Sequence, residues 1–176
     1  MRRFKSRSAA DSNPGGDDQT TEIAAVRLLS RREHSTRELK RKLAGKGHEA
    51  ASVDRVVDQL ADKELVSDER FATSFVTHHG RRGHGPVRIR AELRQQGASD
   101  DMIAAALAAA EFDWSEIAAS VRQRKFGNEL PRDRAERAKQ ARFLQYRGFS
   151  ADQIRAAMAT MAMDSAEPAL PDSDFD

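Results

Sequence analysis

The chain has 176 residues, a net charge of +2 at pH 7 and no cysteine, which excludes disulfides and thiolate chemistry. Charged residues make up 33% of the chain and aromatic residues 6%, and the mean hydropathy of −0.72 argues against a thick hydrophobic core. No apolar run is long enough for a membrane span or a signal peptide, so we expect a cytoplasmic protein without membrane association.

Helix-forming residues dominate the middle of the chain, and alternating runs of Val, Ile and Thr are absent. The sequence therefore predicts an all-α protein with nine helices in three tandem three-helix repeats. We place the repeats at residues 20–66, 67–111 and 112–163, between a flexible tail at 1–19 and an acidic flexible tail at 164–176. Stacked end to end, such repeats form an elongated, curved, solenoid-like array.

Apolar residues at helical spacing predict the first helix of each repeat. In the first repeat they are Ile23, Val26 and Leu29. The stripes of the other two repeats are Phe71, Ala72, Phe75 and Val76, and Trp114, Ile117, Ala118 and Val121. We therefore expect most aromatic rings to lie in the core, and Tyr146 is the one ring whose placement stays open.

The second helix of each repeat begins at a capping signal. Ser35 and Glu38 have the spacing of a capping box, and Pro86 stands at a predicted first helical position. Pro131 predicts the same kind of helix start in the third repeat.

The second helix of each repeat is predicted to end at a glycine, because Gly47, Gly97 and Gly148 lie 50 and 51 residues apart. Glycine adopts the left-handed conformation of a C-terminal cap at little cost. Ser99 and Ser150 then cap the third helices of their repeats. Each glycine has a leucine four positions before it and a β-branched apolar residue six positions after it: Leu43, Leu93 and Leu144, and Val53, Ile103 and Ile154.

Charge is unevenly distributed along the chain. Residues 70–147 contain 15 Arg and Lys against 9 Asp and Glu, whereas residues 149–176 contain one Arg against six acids. Basic side chains in this number predict contacts with phosphates or with carboxylates on a partner protein, although a solvated helix surface is the alternative. The candidate contact residues are Arg81, Arg82, Arg88, Arg90, Arg94, Arg122, Arg124, Lys125, Arg142 and Arg147.

No segment carries a catalytic or cofactor motif. The glycine-rich segment 78–90, "HHGRRGHGPVRIR", follows a helix rather than a strand, so it does not predict a phosphate loop. Its histidines, His78, His79 and His84, have no cysteine or cluster of acids nearby in the sequence, which argues against a zinc site. We therefore expect no enzyme activity, no metal and no cofactor.

Four consecutive segments resemble the bacterial RecX family, the regulatory proteins that modulate the RecA recombinase. The resemblance extends in order from about Ala24 to Met158, and Glu64 and Val66 are mild departures, since the family usually has glycine and leucine there. The four segments are "RLLSRREHSTRELKRKLAGKG" from Arg27, "LVSDERFA" from Leu65, "GPVRIRAELRQQG" from Gly85 and "RFLQYRGFS" from Arg142.

The resemblance implies tandem three-helix repeats and a non-enzymatic function. It implies binding to the RecA filament on single-stranded DNA, in its helical groove, with inhibition of ATP hydrolysis, strand exchange and co-protease action. Recombination, DNA repair and the SOS response would be affected. We further expect a monomer with weak direct DNA binding. The alternatives are an architectural helical DNA-binding protein that acts on recombination indirectly, and a peptide-binding adaptor.

Overall fold

The structure is a computed structural model that describes residues 14–129 and 131–164. Within these residues the chain forms nine α-helices and no β-strand, as predicted, and none of these helices is long and apolar enough to cross a membrane. The helices are α1 (Pro14–Leu29), α2 (Thr36–Ala44), α3 (Ala50–Asp62), α4 (Asp68–Arg81), α5 (Pro86–Gln95), α6 (Asp100–Ala109), α7 (Trp114–Phe126), α8 (Arg134–Arg147) and α9 (Ala151–Asp164).

The described residues divide into two compact units. The first unit contains the chain up to Ala72 together with Gln96–Ala98, and the second contains Thr73–Gln95 and the residues from Ser99 onward. The division therefore falls inside α4 and again at the turn after α5. The repeat boundaries predicted at residues 66 and 111 stay a prediction.

Helix α1 begins at Pro14, within the segment that the sequence predicts to be a flexible tail. Proline is tolerated in a first helical turn because that turn lacks intrahelical partners for its N–H groups. The carboxylate of Asp18 accepts hydrogen bonds from Ser52 Oγ and from Arg55, at 2.9 Å from Arg55 Nη2, and so holds the start of α1 against α3. Residues 1–13 and 165–176, with most of the two predicted tails, lie outside the described residues.

The core of the first unit lies between α1, α2 and α3. Its buried residues are Ala25, Leu39, Leu43, Val53, Val56, Val57, Leu60 and Val66. Of the apolar residues whose spacing predicts α1, Leu29 packs half-buried against this core, whereas the side chains of Ile23 and Val26 are 48% and 47% exposed. Helix α1 instead turns its smaller residues, Thr21 and Ala25, inward. Small side chains at i and i+4 allow closer helix packing than the larger apolar stripe would.

The second unit has a core formed by α7, α8 and α9. It buries Ala118, Val121, Leu144, Phe149 and Ala157, and the half-buried residues Ile117, Ala119, Phe143 and Ile154 pack against it. Helices α5 and α6 bury Ile89, Leu93, Ile103 and Ala106. Most aromatic rings lie in or beside the core as predicted, whereas Tyr146 is 80% exposed.

The left-handed conformation predicted at the three glycines is present, with φ of +91° at Gly47, +94° at Gly97 and +91° at Gly148. The amide that follows Gly47 donates to Leu43 O at 3.4 Å, and the Phe149 amide donates to Leu144 O at 3.2 Å. At Gly47 and Gly148 these are the bonds of a Schellman motif, in which the residue after the glycine donates to the leucine four positions before the glycine.

The helix starts agree with the sequence at most positions. Ser35 Oγ accepts from the Glu38 amide at 3.0 Å, Ser99 Oγ accepts from the Met102 amide at 3.2 Å, and α5 begins at Pro86. Pro131 does not begin α8, contrary to the prediction. Asp133 does so instead, since its carboxylate accepts from the Glu136 amide at 2.8 Å and satisfies a first-turn donor.

Candidate functional site

The turn after α8, within "RFLQYRGFS", packs against the start of α5. The amides of Gly85 and Val87 donate to the carbonyls of Arg147 and Gly148, at 2.8 and 3.0 Å. The first amides of a helix have no intrahelical acceptor, and the last carbonyls have no intrahelical donor, so each end satisfies the other. This arrangement places Arg147 beside the connection between α4 and α5.

Gly148 and Gly83 allow the close approach. A Cβ at Gly148 would lie 2.6 Å from the Arg88 backbone nitrogen, and a Cβ at Gly83 would lie 2.5 Å from Val121 Cγ2. Gly83 also has φ of +77°, which reverses the chain after α4 and brings Arg82 towards α7. Side chains at either glycine would therefore separate the segments that form the site.

A concave cationic pocket results from these contacts. Its cavity of about 230 Å³ is lined by four basic side chains and two apolar ones: Arg82, Val121, Arg124, Lys125, Phe143 and Arg147. The four cations come from the turn after α4, from α7 and from α8. We call this set the cationic pocket.

Aromatic packing orients one side of the cationic pocket. The Arg147 guanidinium carbon lies 5.4 Å from the centre of the Phe143 ring, within the range of a cation–π interaction. Phe143 is itself held edge-to-face against Phe126, with ring centres 5.3 Å apart. Arg147 is therefore positioned by the core of the second unit rather than extended freely into solvent.

The cations of the pocket lack acidic partners in the described part of the chain. None of Arg82, Arg124, Lys125 and Arg147 forms an ion pair there. By contrast, Arg88 Nε pairs with Glu92 Oε1 and Arg94 Nε pairs with Asp100 Oδ1, both at 2.7 Å. Several unpaired cations around one cavity favour an anionic group, such as a phosphate or a carboxylate, as the ligand.

The remaining predicted contact residues are dispersed over the second unit. Arg81 lines an open groove beside α4 of about 410 Å³, together with Thr77 and His78 and with Arg82, which also lines the cationic pocket. Arg90 is half-buried, whereas Arg142 is exposed on α8 with its Nε 3.4 Å from the Ala138 carbonyl. The structure thus brings four of the ten predicted contact residues together in one pocket and leaves these others outside it.

Arg122 is one of the predicted contact residues, but its side chain is 0% exposed. It is therefore not available for contact with a partner. Its guanidinium donates to Gln140 Oε1 at 2.7 Å, to the Gly127 carbonyl at 3.2 Å and to the Glu129 carbonyl at 2.6 Å. These bonds hold the connection between α7 and α8, so Arg122 is a structural residue. Its position four residues after the buried Ala118 is the signal in the sequence that places it on the inner face of α7.

Comparison with known proteins identifies the family. Three family models match in chain order, described as the first, second and third three-helix domains of RecX, at residues 24–60, 67–107 and 113–158. Regulatory protein RecX of Halorhodospira halophila is 49% identical over 148 residues, which cover 84% of this chain and 92% of that protein. Regulatory protein RecX of Pseudomonas fluorescens is 44% identical over 140 residues, covering 80% and 90%.

Solved structures show the same fold. The crystal structure of RecX from Lactobacillus salivarius superposes with a TM-score of 0.70 at 21% identity, over 85% of this chain and 99% of that chain. A second crystal structure of regulatory protein RecX gives a TM-score of 0.72 at 20% identity, over 89% and 83%. These matches define an all-α protein of three consecutive three-helix domains. The chain belongs to the RecX family of regulatory proteins, which confirms the resemblance found in the sequence.

Proposed function

We propose that this protein is a non-enzymatic regulator that binds the RecA filament on single-stranded DNA, in the helical groove of the filament. Binding inhibits ATP hydrolysis, strand exchange and co-protease action, and so modulates recombination, DNA repair and the SOS response. Family membership supports the regulatory role, since the curated relatives are named regulatory proteins. The cationic pocket is the observation in the structure that supports an anionic partner surface.

The cationic pocket suits a groove where protein carboxylates and DNA phosphates lie close together. Cations that already have a carboxylate partner must break an ion pair to bind a new anion, whereas unpaired cations need not. We therefore assign the first contacts to Arg82, Arg124, Lys125 and Arg147. We assign weaker contacts to the other predicted residues outside the pocket, and Arg88 and Arg94 among them already have acidic partners. These residues are Arg81, Arg88, Arg90, Arg94 and Arg142.

The oligomeric state and the cellular location of the protein form part of the same proposal. We infer a cytoplasmic monomer, because the proposed partner is a long polymer on which single copies bind at repeated positions. Direct binding to naked DNA is expected to be weak and dependent on salt. If all four cations of the pocket contact phosphates of a single strand, log K should fall with log salt at a slope of roughly −3.

A filament titration tests the proposal. Purified protein is added to RecA filaments on single-stranded DNA, and ATP hydrolysis is measured together with binding. We expect ATP turnover to fall as the filament becomes occupied. Binding that reaches saturation without any change in ATP turnover would contradict the proposal.

One observation favours the alternative of direct DNA binding. Tyr146 is 80% exposed and lies between Arg142 and Arg147 on α8. Exposed aromatic rings next to basic residues are typical of proteins that stack bases of single-stranded DNA. Equal affinity for naked DNA and for the filament, together with loss of DNA binding in Tyr146→Ala, would favour this alternative.

A further inference from the structure

Three side chains at the connection between α4 and α5 form a compact group that the proposed regulatory function does not use. They are His79 in the last turn of α4, His84 after the turn, and Glu92 on α5. The Nδ1 atoms of His79 and His84 are 3.0 Å apart, and His79 Nδ1 lies 3.5 Å from Glu92 Oε2. All three candidate ligand atoms lie within 4.8 Å of one another.

Neighbouring residues hold these side chains in place. The Phe75 ring stacks on His79 with ring centres 4.0 Å apart, which orients the imidazole. The His84 amide donates to the His79 carbonyl at 3.0 Å, so the turn sets the distance between the two histidines. Arg88 Nε donates to Glu92 Oε1 at 2.7 Å and leaves Oε2 on the side of His79. A ligand carboxylate held by such a bond is typical of metal sites.

The geometry of the two imidazoles favours metal binding. Their Nδ1 atoms face each other at 3.0 Å, a separation at which one Nδ1–H can donate to the other Nδ1. Moving that proton to Nε2 of the same ring exposes both Nδ1 lone pairs without any net loss of a proton.

We propose that His79 Nδ1, His84 Nδ1 and the Glu92 carboxylate bind a divalent transition-metal ion of the zinc class, with water in the fourth position. Bonds of about 2.0–2.1 Å at a tetrahedral ion place two nitrogen ligands about 3.3 Å apart, close to the separation present here. Two imidazoles and one carboxylate suit zinc, whereas calcium and magnesium prefer oxygen ligands. The sequence argues against zinc because no cysteine and no cluster of acids lies near the histidines in the chain, whereas the fold brings Glu92 to them from α5.

The site ties the end of α4 to α5 at a functionally important place. Arg82 of the cationic pocket lies between His79 and His84 in the chain, and Gly85 next to His84 donates to the Arg147 carbonyl. A bound ion therefore restrains the segment that carries Arg82. With three protein ligands and arginines nearby, the affinity should be lower than that of a structural zinc site with four ligands.

Calorimetric titration of the full chain with zinc tests the site, and it needs no filament. We expect one ion per chain for the wild type, and affinity at least about tenfold lower for His84→Gln and for Glu92→Gln. His78→Gln is the matched control, because His78 is exposed and lies outside the group, so its zinc affinity should equal that of the wild type.

A second measurement needs no substitution. In the wild-type protein, nitrogen NMR of the imidazoles should show zinc-dependent shifts at Nδ1 of His79 and His84 and none at His78. The proposal is overturned if zinc does not bind at concentrations up to about 100 µM. It is equally overturned if the double variant of His79→Gln with His84→Gln binds zinc as the wild type does.

Discussion

The turns after α5 and α8 have nearly the same backbone form, yet they depend on their glycines to different degrees. A Cβ at Gly97 would meet the flexible side chain of Arg37, with Cδ at 3.3 Å. A Cβ at Gly148 would instead lie 2.6 Å from the backbone nitrogen of Arg88 in the first turn of α5. A side chain can rotate away, whereas a helix backbone cannot. Of these two turns, only the turn after α8 therefore needs glycine for space as well as for its positive φ.

The arginines near the two turns also differ, in whether they form an ion pair. Arg147, at the end of α8, forms no ion pair among the described residues and lines the cationic pocket. Arg94, near the end of α5, is paired with Asp100 at 2.7 Å. The turn after α5 thus contributes to packing alone. The turn after α8 contributes to packing and also places Arg147 in the cationic pocket.

Gly148→Ala should lower the free energy of unfolding more than any other substitution considered, and it tests the difference between the two turns most directly. The left-handed conformation costs a residue with a Cβ about 1–2 kcal/mol. Displacing the turn from α5 also weakens two hydrogen bonds worth about 0.5–1.5 kcal/mol each. We expect a loss of roughly 2–5 kcal/mol in the free energy of unfolding, measured by chemical denaturation. Hydrogen exchange should show reduced protection of the Gly85 and Val87 amides, which donate to this turn. Unchanged protection of both amides would show that the turn does not satisfy the start of α5.

Gly97→Ala should have a smaller effect, since the Arg37 side chain can move aside. We expect a loss of about 1–2 kcal/mol from the positive φ alone. Gly47→Ala is the matched control, because Gly47 has φ of +91° and no atom within 4 Å of an added Cβ. Denaturation of both variants measures the difference. A loss at Gly97 as large as that at Gly148 would remove the distinction between the turns.

Arg147→Ala and Arg94→Ala compare the charges near the two turns. A charge-assisted hydrogen bond contributes about 1.5–3 kcal/mol, so the loss of Arg147 should weaken filament inhibition roughly tenfold or more. Arg94→Ala should change inhibition less than about threefold, because Arg94 already has an acidic partner. Inhibition of ATP turnover is measured for both variants, and their melting temperatures control for unfolding. Equal losses for the two would assign no special role to the cationic pocket.

Glu64→Gly should have the smallest effect, and we expect it to stabilise the protein. Glu64 has φ of +54° in the turn after α3, where the Leu65 amide donates to the Leu60 carbonyl at 2.8 Å. Glycine relieves the strain at this position, and we expect a gain of about 0.5–1 kcal/mol in the free energy of unfolding. Glu64→Ala is the control, since it removes the carboxylate but keeps the Cβ. Equal stability of the two variants would show that the positive φ carries no cost.

The sequence predicts most of the secondary structure of this protein because the signals are local. A capping box such as that at Ser35 and a left-handed glycine such as Gly148 act within a few residues, so both can be identified without the fold. Where two local signals compete, the prediction fails. Pro131 predicts the start of α8, but the structure places the N-cap two residues later at Asp133, whose carboxylate accepts from the Glu136 amide.

The candidate site could be predicted only in part. The basic character of the second and third repeats follows from counting residues. A count cannot separate Arg147, which forms no ion pair with the described residues, from Arg122, which is buried. Solvation and pairing of a charge depend on every group around it, including groups far away in the chain. The same limit explains why the spacing of Ile23, Val26 and Leu29 predicts a helix but not which face of α1 is buried.

By itself, the sequence determined that the chain is helical, that it repeats with a period of about fifty residues, and that it belongs to the RecX family. Only the tertiary structure decided which cations meet in one pocket, and that Glu92 lies beside His79 and His84. Helix periodicity and capping involve neighbours in the chain, so the sequence displays them directly. Ion pairing, burial and metal coordination involve neighbours in space, and the packing of the helices creates those neighbours.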